Sequence, residues 1–210
     1  MSISEFIRRN PKYKQLALRL MMPKNQARPR LWVKWFINPF KHKKGKGSLI
    51  RRRTRMDVMP WNRFEVGRDS TIEDFATINN GVGEVIIGDR TRIGLGNTLI
   101  GPVHVGSDIM FAQNIVVSGL NHGYDDVSRP ISVQPTKTSI ITIEDECWIA
   151  ANSVITAGVT VGKHSVVAAG SVVTRNVEPY TIVAGNPAKP IKRYNADSQQ
   201  WEKISQGNKK

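Results

Sequence analysis

Residues 143–173 read IEDECWIAANSVITAGVTVGKHSVVAAGSVV, with an aliphatic side chain at every sixth position: Ile143, Ile149, Ile155, Val161, Val167 and Val173. Period six is neither the 3.6 of an α-helix nor the plain alternation of a half-buried strand. A short strand, a tight turn and another short strand place one aliphatic side chain inward per side of a prism. Three such sides make a coil of about 18 residues, the repeat of a parallel β-helix. Coils of that kind stack through parallel hydrogen bonds around an aliphatic column. The residue after each aliphatic is short or acidic, as in Glu144, Ala150, Gly162 and Ala168. Small side chains recur four positions after it, as in Cys147, Ser153, Val159, Ser165 and Ser171.

The same spacing extends towards the N-terminus. Val66, Ile72 and Ile78 form one run, and after a slip of three residues Ile87, Ile93, Leu99, Val105, Phe111 and Val117 form another. A β-sandwich with fortuitous spacing is the competing reading, and fifteen matched positions in three runs favour the β-helix. Between the second and third runs the pattern stops, and SGLNHGYDD at 118–126 places a histidine in the gap.

From about 66 to 191 the chain resembles the hexapeptide-repeat acyltransferases. It is most similar to their maltose/galactoside O-acetyltransferase group and to capsular-polysaccharide O-acetyltransferases. CWIAANSVITAGVTVGKHSVVAAGSVVTRNVEPYTIVAGNPAKPIKRY at 147–194 carries the most specific part of that likeness. The resemblance implies a left-handed helix; spacing does not reveal the hand, and right-handed crossovers are the usual ones. The expected fold is therefore all-β. It comprises a basic, partly helical N-terminal region over 1–65, a left-handed parallel β-helix over 66–191 with an extruded loop at about 118–140, and a tail over 192–210.

The net charge of +14 is unevenly placed: residues 1–65 hold 18 Lys and Arg against 3 Asp and Glu, whereas residues 66–210 are close to neutral. EFIRRNPKYKQLALRLMM at 5–22 contains an amphipathic helix after Pro11. LWVKWFINPF, KHKKGKG and RRRTR follow, aromatics interleaved with cations. Such a segment either packs as a cap with a solvated basic face or meets an anionic membrane surface, here through residues 1–55. No nucleic-acid module is evident, and nucleic acid is not expected as a partner. Ile50, Val58 and Trp61 read as cap packing. A single cysteine, Cys147, excludes an internal disulfide and fits a reducing compartment. MSISEFIRRN lacks an apolar stretch before a cleavage site, and no apolar run approaches the roughly 20 residues of a bilayer span. The expected location is the cytoplasm, with peripheral contact at the inner face of the plasma membrane.

Acyl transfer to a hydroxyl needs a base, an oxyanion donor and a slot for the thioester. Of the four histidines, His42 lies in the basic run and reads as solvated, and His104 and His164 occupy surface positions of the hexads. His122 sits where the coil pattern breaks. The resemblance places the general base on His122, at the start of the loop that leaves the β-helix. Asn121, Tyr124, Asp125 and Asp126 flank it; they orient the imidazole, bind acceptor hydroxyls or, for the Asp pair, form a turn. Tyr124 and Asp125 are acceptor-side candidates, as is Asn114, for which turn formation is the alternative; Asn97 is a candidate for the acceptor or the cofactor side. Trp148 either lines the tunnel near the acetyl group or packs at an edge.

Acetyl-CoA is the cofactor that the resemblance implies, with contacts at Ala151, Ala169, Thr174, Arg175, Lys189 and Lys192. Small corners admit a pantetheine arm, and the basic side chains suit nucleotide phosphates. Ala151 stands where the family often has serine, which leaves only a backbone contact there. Cys147 occupies the small inward position of its hexad and reads as structural, favouring direct transfer. No metal is required: there is no Ser-His-Asp motif, zinc cluster or Walker loop, and GLG at 94–96 lacks the setting of a dinucleotide site.

The expected activity is acetyl transfer from acetyl-CoA to a sugar hydroxyl of a surface polysaccharide or its precursor. The resemblance also implies a homotrimer with sites between subunits. Transfer to serine or a small xenobiotic alcohol, and a non-catalytic scaffold docked on membrane, are the alternatives.

Overall fold

The computed structural model describes residues 10–204; the first nine residues of the N-terminal region and the last six of the tail lie outside it. Helix α1 (Pro11–Met21) begins at the expected proline, whose fixed φ suits a first helical position. The Asn10 side chain caps it, accepting from Lys12 N at 3.1 Å. Two short helices follow, α2 (Leu31–Phe36) and α3 (Asn38–Lys41).

Coils then stack one on another. The first comprises β1 (Lys43–Lys44), β2 (Leu49–Ile50) and β3 (Arg55–Asp57), and the second β4 (Phe64–Val66), β5 (Thr71–Ile72) and β6 (Thr77–Asn79). Next come β7 (Val85–Ile87), β8 (Arg92–Ile93) and β9 (Thr98–Ile100), then β10 (Val103–Val105), β11 (Met110–Phe111) and β12 (Val116–Ser118). A hairpin, β13 (Leu120–His122) with β14 (Thr136–Thr138), interrupts the stack. It resumes with β15 (Ile141–Ile143), β16 (Trp148–Ile149) and β17 (Val154–Ile155), and with β18 (Thr160–Val161), β19 (Val166–Val167) and β20 (Val172–Val173).

Corresponding strands of successive coils pair in parallel, forming three sheets that are the sides of the prism. All fifteen hexad aliphatics lie inside, none more than 3% exposed. The small inward positions Ser70, Ala76, Thr91, Cys147, Ser153, Ser165 and Ser171 are buried too. Two edges are turned by left-handed residues: Asp69, Arg90, Asp108, Glu146 and His164 at one, Phe75, Gly96, Asn114, Asn152 and Gly170 at the next.

The stack reaches beyond both boundaries read from the hexads. It starts at Lys43 rather than Val66, because Lys43 and Lys44 pair with Glu65 and Val66 although Gly45, Lys46 and Arg51–Arg53 break the aliphatic period. At the other end β21 (Thr181–Gly185), β22 (Ala188–Asn195) and β23 (Gln200–Lys203) form an antiparallel extension, so residues 192–203 are sheet rather than tail. The three-residue slip after Ile78 is a turn fastened by Asn80, fully buried, whose side chain accepts from Met59 N at 2.6 Å and donates to Met59 O and Asn62 O.

His42 departs from the solvated reading. Its ring stands edge-on to Phe64 at 5.9 Å, and both ring nitrogens are buried without a hydrogen-bond partner. Burial lowers its pKa, so the unfolded chain binds the proton more tightly than the folded one. That contribution to stability is present above the unfolded value of about 6.5 and is lost as pH falls through it. The thermal midpoint is expected to drop between about pH 7.5 and about pH 5.5, with a flatter profile in His42→Phe. Denaturant unfolding of Ile93→Ala, in the column, should show a loss of about 2–5 kcal/mol. Leu95→Ala, at an exposed edge, should stay within about 0.5 kcal/mol of the parent.

Candidate active site

The chain leaves the prism at Gly119 and returns at Ile141. The neck closes because Ser139 N donates to Gly119 O at 2.9 Å, Ile141 N to Pro102 O at 3.1 Å and Gly158 N to Ser139 O at 3.2 Å. A Cβ on Gly119 would lie 2.6 Å from Pro102 O, so the close approach needs glycine there. In the hairpin, His122 stands opposite Thr136 and Asn121 opposite Lys137. The far end is latched by Gln134, whose amide donates to Asp126 O at 2.8 Å and Arg129 O at 3.0 Å and whose carbonyl accepts from Asp126 N at 3.2 Å. Nothing in the hexad spacing pointed to Gln134 or Lys137.

His122 is exposed, and among the described residues no group hydrogen-bonds its imidazole. The flanking candidates are otherwise engaged. Asp125 pairs with Lys137 at 2.6 Å, a contact that raises the Lys137 pKa. Asp126 accepts from Ser128 N at 3.0 Å and Ser128 Oγ at 2.6 Å, which is turn formation. Tyr124 is 70% exposed.

The other candidates lie elsewhere on the prism. Ala151 and Ala169 come together at the edge between the sheet of β16 and the sheet of β17, where Gly170 N donates to Ala151 O at 2.9 Å. A Cβ on Gly170 would meet nothing within 4 Å, so this edge is open. Trp148, 51% exposed, stands between Met110 and Val166 on the outer face of its sheet. Thr174 and Arg175, both exposed, follow β20 at the edge from which the loop leaves, two coils further on. That is about 10 Å of stacking. Lys189 and Lys192 lie on β22, opposite Ala184 and Ile182. A single chain thus brings Ala151 to Ala169, and Thr174 and Arg175 to the edge from which the loop leaves, but the loop that carries His122 leaves from a different corner than the small-residue edge.

Asn97 is not available to an acceptor. It is fully buried, its amide donating to Ala112 O at 2.9 Å and its carbonyl accepting from Ile115 N at 2.7 Å, so it links coils from within. Asn114 is exposed and supplies the left-handed corner residue, φ 55°, which is the turn role considered for it. Cys147 is buried, its Sγ donating to Gly162 O at 3.2 Å, and burial pushes its pKa up to about 11. His104 meets Glu84 at 2.7 Å, and His164 meets Glu146 at 3.1 Å while stacking on Tyr180. Among the described residues no three His, Cys, Asp or Glu side chains group as metal ligands.

The family described as hexapeptide repeat of succinyl-transferase matches residues 84–118 and 140–175, the coils on either side of the loop. The resemblance to hexapeptide-repeat acyltransferases is borne out, and the fold is their left-handed parallel β-helix. A protein of Escherichia coli K12 named as a lipopolysaccharide biosynthesis O-acetyl transferase, WbbJ, is 32% identical over 108 residues, 48% of this chain and 55% of its own. The chain spans about half the length of the curated relatives it matches first. Among solved structures, a hexapeptide-repeat acetyltransferase from Vibrio cholerae aligns with TM-score 0.53 and 26% identity over 93% of this chain and 94% of that one. An N-acyltransferase from Bacillus cereus, solved with dTDP and 3-hydroxybutyryl-CoA, aligns with TM-score 0.64 and 21% identity over 74% and 85%.

Asn97→Ala strands one buried donor and one buried acceptor; urea unfolding is expected to show a loss of about 1–3 kcal/mol. Cys147, buried and protonated, is expected to resist iodoacetamide in the native protein at pH 8 and to react after denaturation, as read by mass spectrometry.

Proposed function

We propose that the protein is an O-acetyltransferase that moves an acetyl group from acetyl-CoA to a sugar hydroxyl, in the synthesis of a surface or capsular polysaccharide in the cytoplasm. The observation that carries this reading is the extruded hairpin. A rigid stack devotes its residues to column and corners, yet at one break it projects an unpartnered histidine beyond the prism. The relatives' names support the reaction class.

In this reading the His122 imidazole takes the proton from the acceptor hydroxyl as its oxygen attacks the thioester carbon. Backbone amides steady the tetrahedral oxyanion. The C–S bond then breaks, and the imidazolium returns the proton to the departing CoA thiolate. The pantetheine arm runs along the edge of Ala151 and Ala169, where short side chains allow close approach. Arg175, Lys189 and Lys192 face the phosphates, with Thr174 beside them. Tyr124, Asp125, Asn114 and Trp148 border the acceptor. Because the loop that carries His122 leaves from a different corner of the prism than the small-residue edge, a neighbouring subunit of a homotrimer completes each site.

His122→Ala is expected to lower acetyl transfer about 10²-fold or more with an unchanged unfolding profile. Thiol release from acetyl-CoA, screened against nucleotide sugars and oligosaccharides, is the measurement; near-normal turnover in the variant overturns the assignment. Binding of acetyl-CoA without turnover by the parent would instead favour a scaffold. The shared site has its own test. His122→Ala chains co-refolded with Ala169→Trp chains should recover part of the activity that each lacks alone, since mixed trimers contain some intact pairs. No recovery would place the whole site within one chain.

A further inference from the structure

We propose that the N-terminal end of the β-helix is a docking face for an anionic lipid surface, formed by outward apolar side chains of α2 and α3 and the unpaired cations around them.

The apolar half of this face is held open. Leu31 is 71% exposed, Trp35 67%, Phe36 72% and Phe40 86%. These helices are not loose ends that fold back over their own surface. Val33 is fully buried, Asn38 Nδ2 donates to Val58 O at 2.8 Å, and Trp32 Nε1 donates to Leu20 O at 3.2 Å. The Arg30 guanidinium donates to Arg19 O. Those ties fix which side of α2 and α3 faces the first coil, and the aromatic side is the other one. Clustered apolar exposure of this kind marks an interaction surface.

The charged half is only partly neutralised. In the second and third coils Arg68 pairs with Asp89 at 2.8 Å, Arg90 with Asp108 at 2.6 Å, and Arg92 with Glu73; in the first coil Arg55 pairs with Asp57 at 2.8 Å and Lys43 with Glu65 at 3.4 Å. In the first coil Arg51 and Arg52 form no ion pair among the described residues, and neither do Lys34, Lys41 and Lys44 near the helices. Arg51–Arg53 line a cleft with Asp74, but the Asp74 carboxylate accepts from Arg53 N at 2.9 Å rather than from a guanidinium.

Aromatic and aliphatic groups beside uncompensated cations match a bilayer interface with acidic headgroups: the rings enter the acyl boundary and the ammonium groups stay at the phosphates. A second copy of the chain is poorly matched, since self-association would set like charges face to face. Among the described residues no helix is long and apolar enough to cross a membrane, so the contact is interfacial.

The test uses the full chain with vesicles of phosphatidylcholine alone or with added phosphatidylglycerol, at about 0.1 M salt. The parent should co-sediment with the acidic vesicles and not the neutral ones, and brominated lipid should quench its tryptophan emission. Replacing three groups together, Trp35→Ser, Phe36→Ser and Phe40→Ser, should lower partitioning about tenfold or more. Lys34→Glu with Lys41→Glu, which leaves the aromatics in place, should also weaken it. Failure of the parent to bind overturns the proposal. So does binding that the aromatic variant retains undiminished, which is the signature of charge alone and would suit nucleic acid equally. A change of molar mass by light scattering in the aromatic variant would also overturn it, by making the face a subunit seam. Vesicle binding is read without any thioester, and acetyl transfer to a soluble acceptor should be unchanged in the aromatic variant. Either reading can therefore fail while the other stands.

Discussion

Coil-on-coil hydrogen bonding is the constraint from which the rest of the structure follows. Each coil must lie one strand spacing above the last, in register, around its whole perimeter. Register keeps the hexad aliphatics in one column; a slip of one residue would turn them outward. It also brings backbone against backbone at the corners. A Cβ on Gly67 would stand 2.3 Å from the Gly88 carbonyl carbon, and one on Gly88 would stand 2.5 Å from that of Gly106. Short corners are therefore a condition of stacking before they have any use for a ligand.

Polar groups within the prism serve the same constraint. Ser70 Oγ donates to Gly88 O at 2.6 Å and accepts from Thr91 N at 3.0 Å; Thr91 Oγ1 then donates to Gly106 O at 2.8 Å and accepts from Ile109 N. These two hydroxyls satisfy peptide groups of the next coil where the strands part at a corner. Asn97 does this at one edge and the Cys147 thiol at another. A buried side chain with its capacity used in this way has no lone pair or proton left for substrate. Reactive groups are displaced to the corners, the hairpin and the two ends of the stack, where the side chains are exposed.

The legible parts of the chain were those set by repetition. Spacing alone placed fifteen residues in the column, and it located the hairpin as an interruption between Val117 and Ile143. The illegible parts were those where the period fails but stacking continues. The first coil pairs Lys43 and Lys44 with Glu65 and Val66 without showing a clean hexad, because backbone amides pair whatever side chains they carry. Asn97 looked like an acceptor ligand for a related reason: an asparagine at a corner reads alike whether its amide faces solvent or the next coil. His42 reads as solvated among lysines, but in the folded chain its ring lies edge-on to Phe64 of the second coil.

By itself the sequence determined the period, the inward set, the position of the break and the contrast between a basic N-terminal third and a nearly neutral remainder. These are properties of spacing and composition, readable from residues close together in the chain. The tertiary structure decided which corner each segment occupies, and hence that the loop carrying His122 leaves from the edge where Thr174 and Arg175 follow β20, a different edge from that of Ala151 and Ala169. It also decided which arginines find carboxylates and which do not. Arg55 and Arg63 pair two residues along the chain, with Asp57 and Glu65, but other partners lie a whole coil away, 18 residues between Arg90 and Asp108 and 21 between Arg68 and Asp89. Those distant partners meet only after the coils have closed, and no local pattern carries that distance.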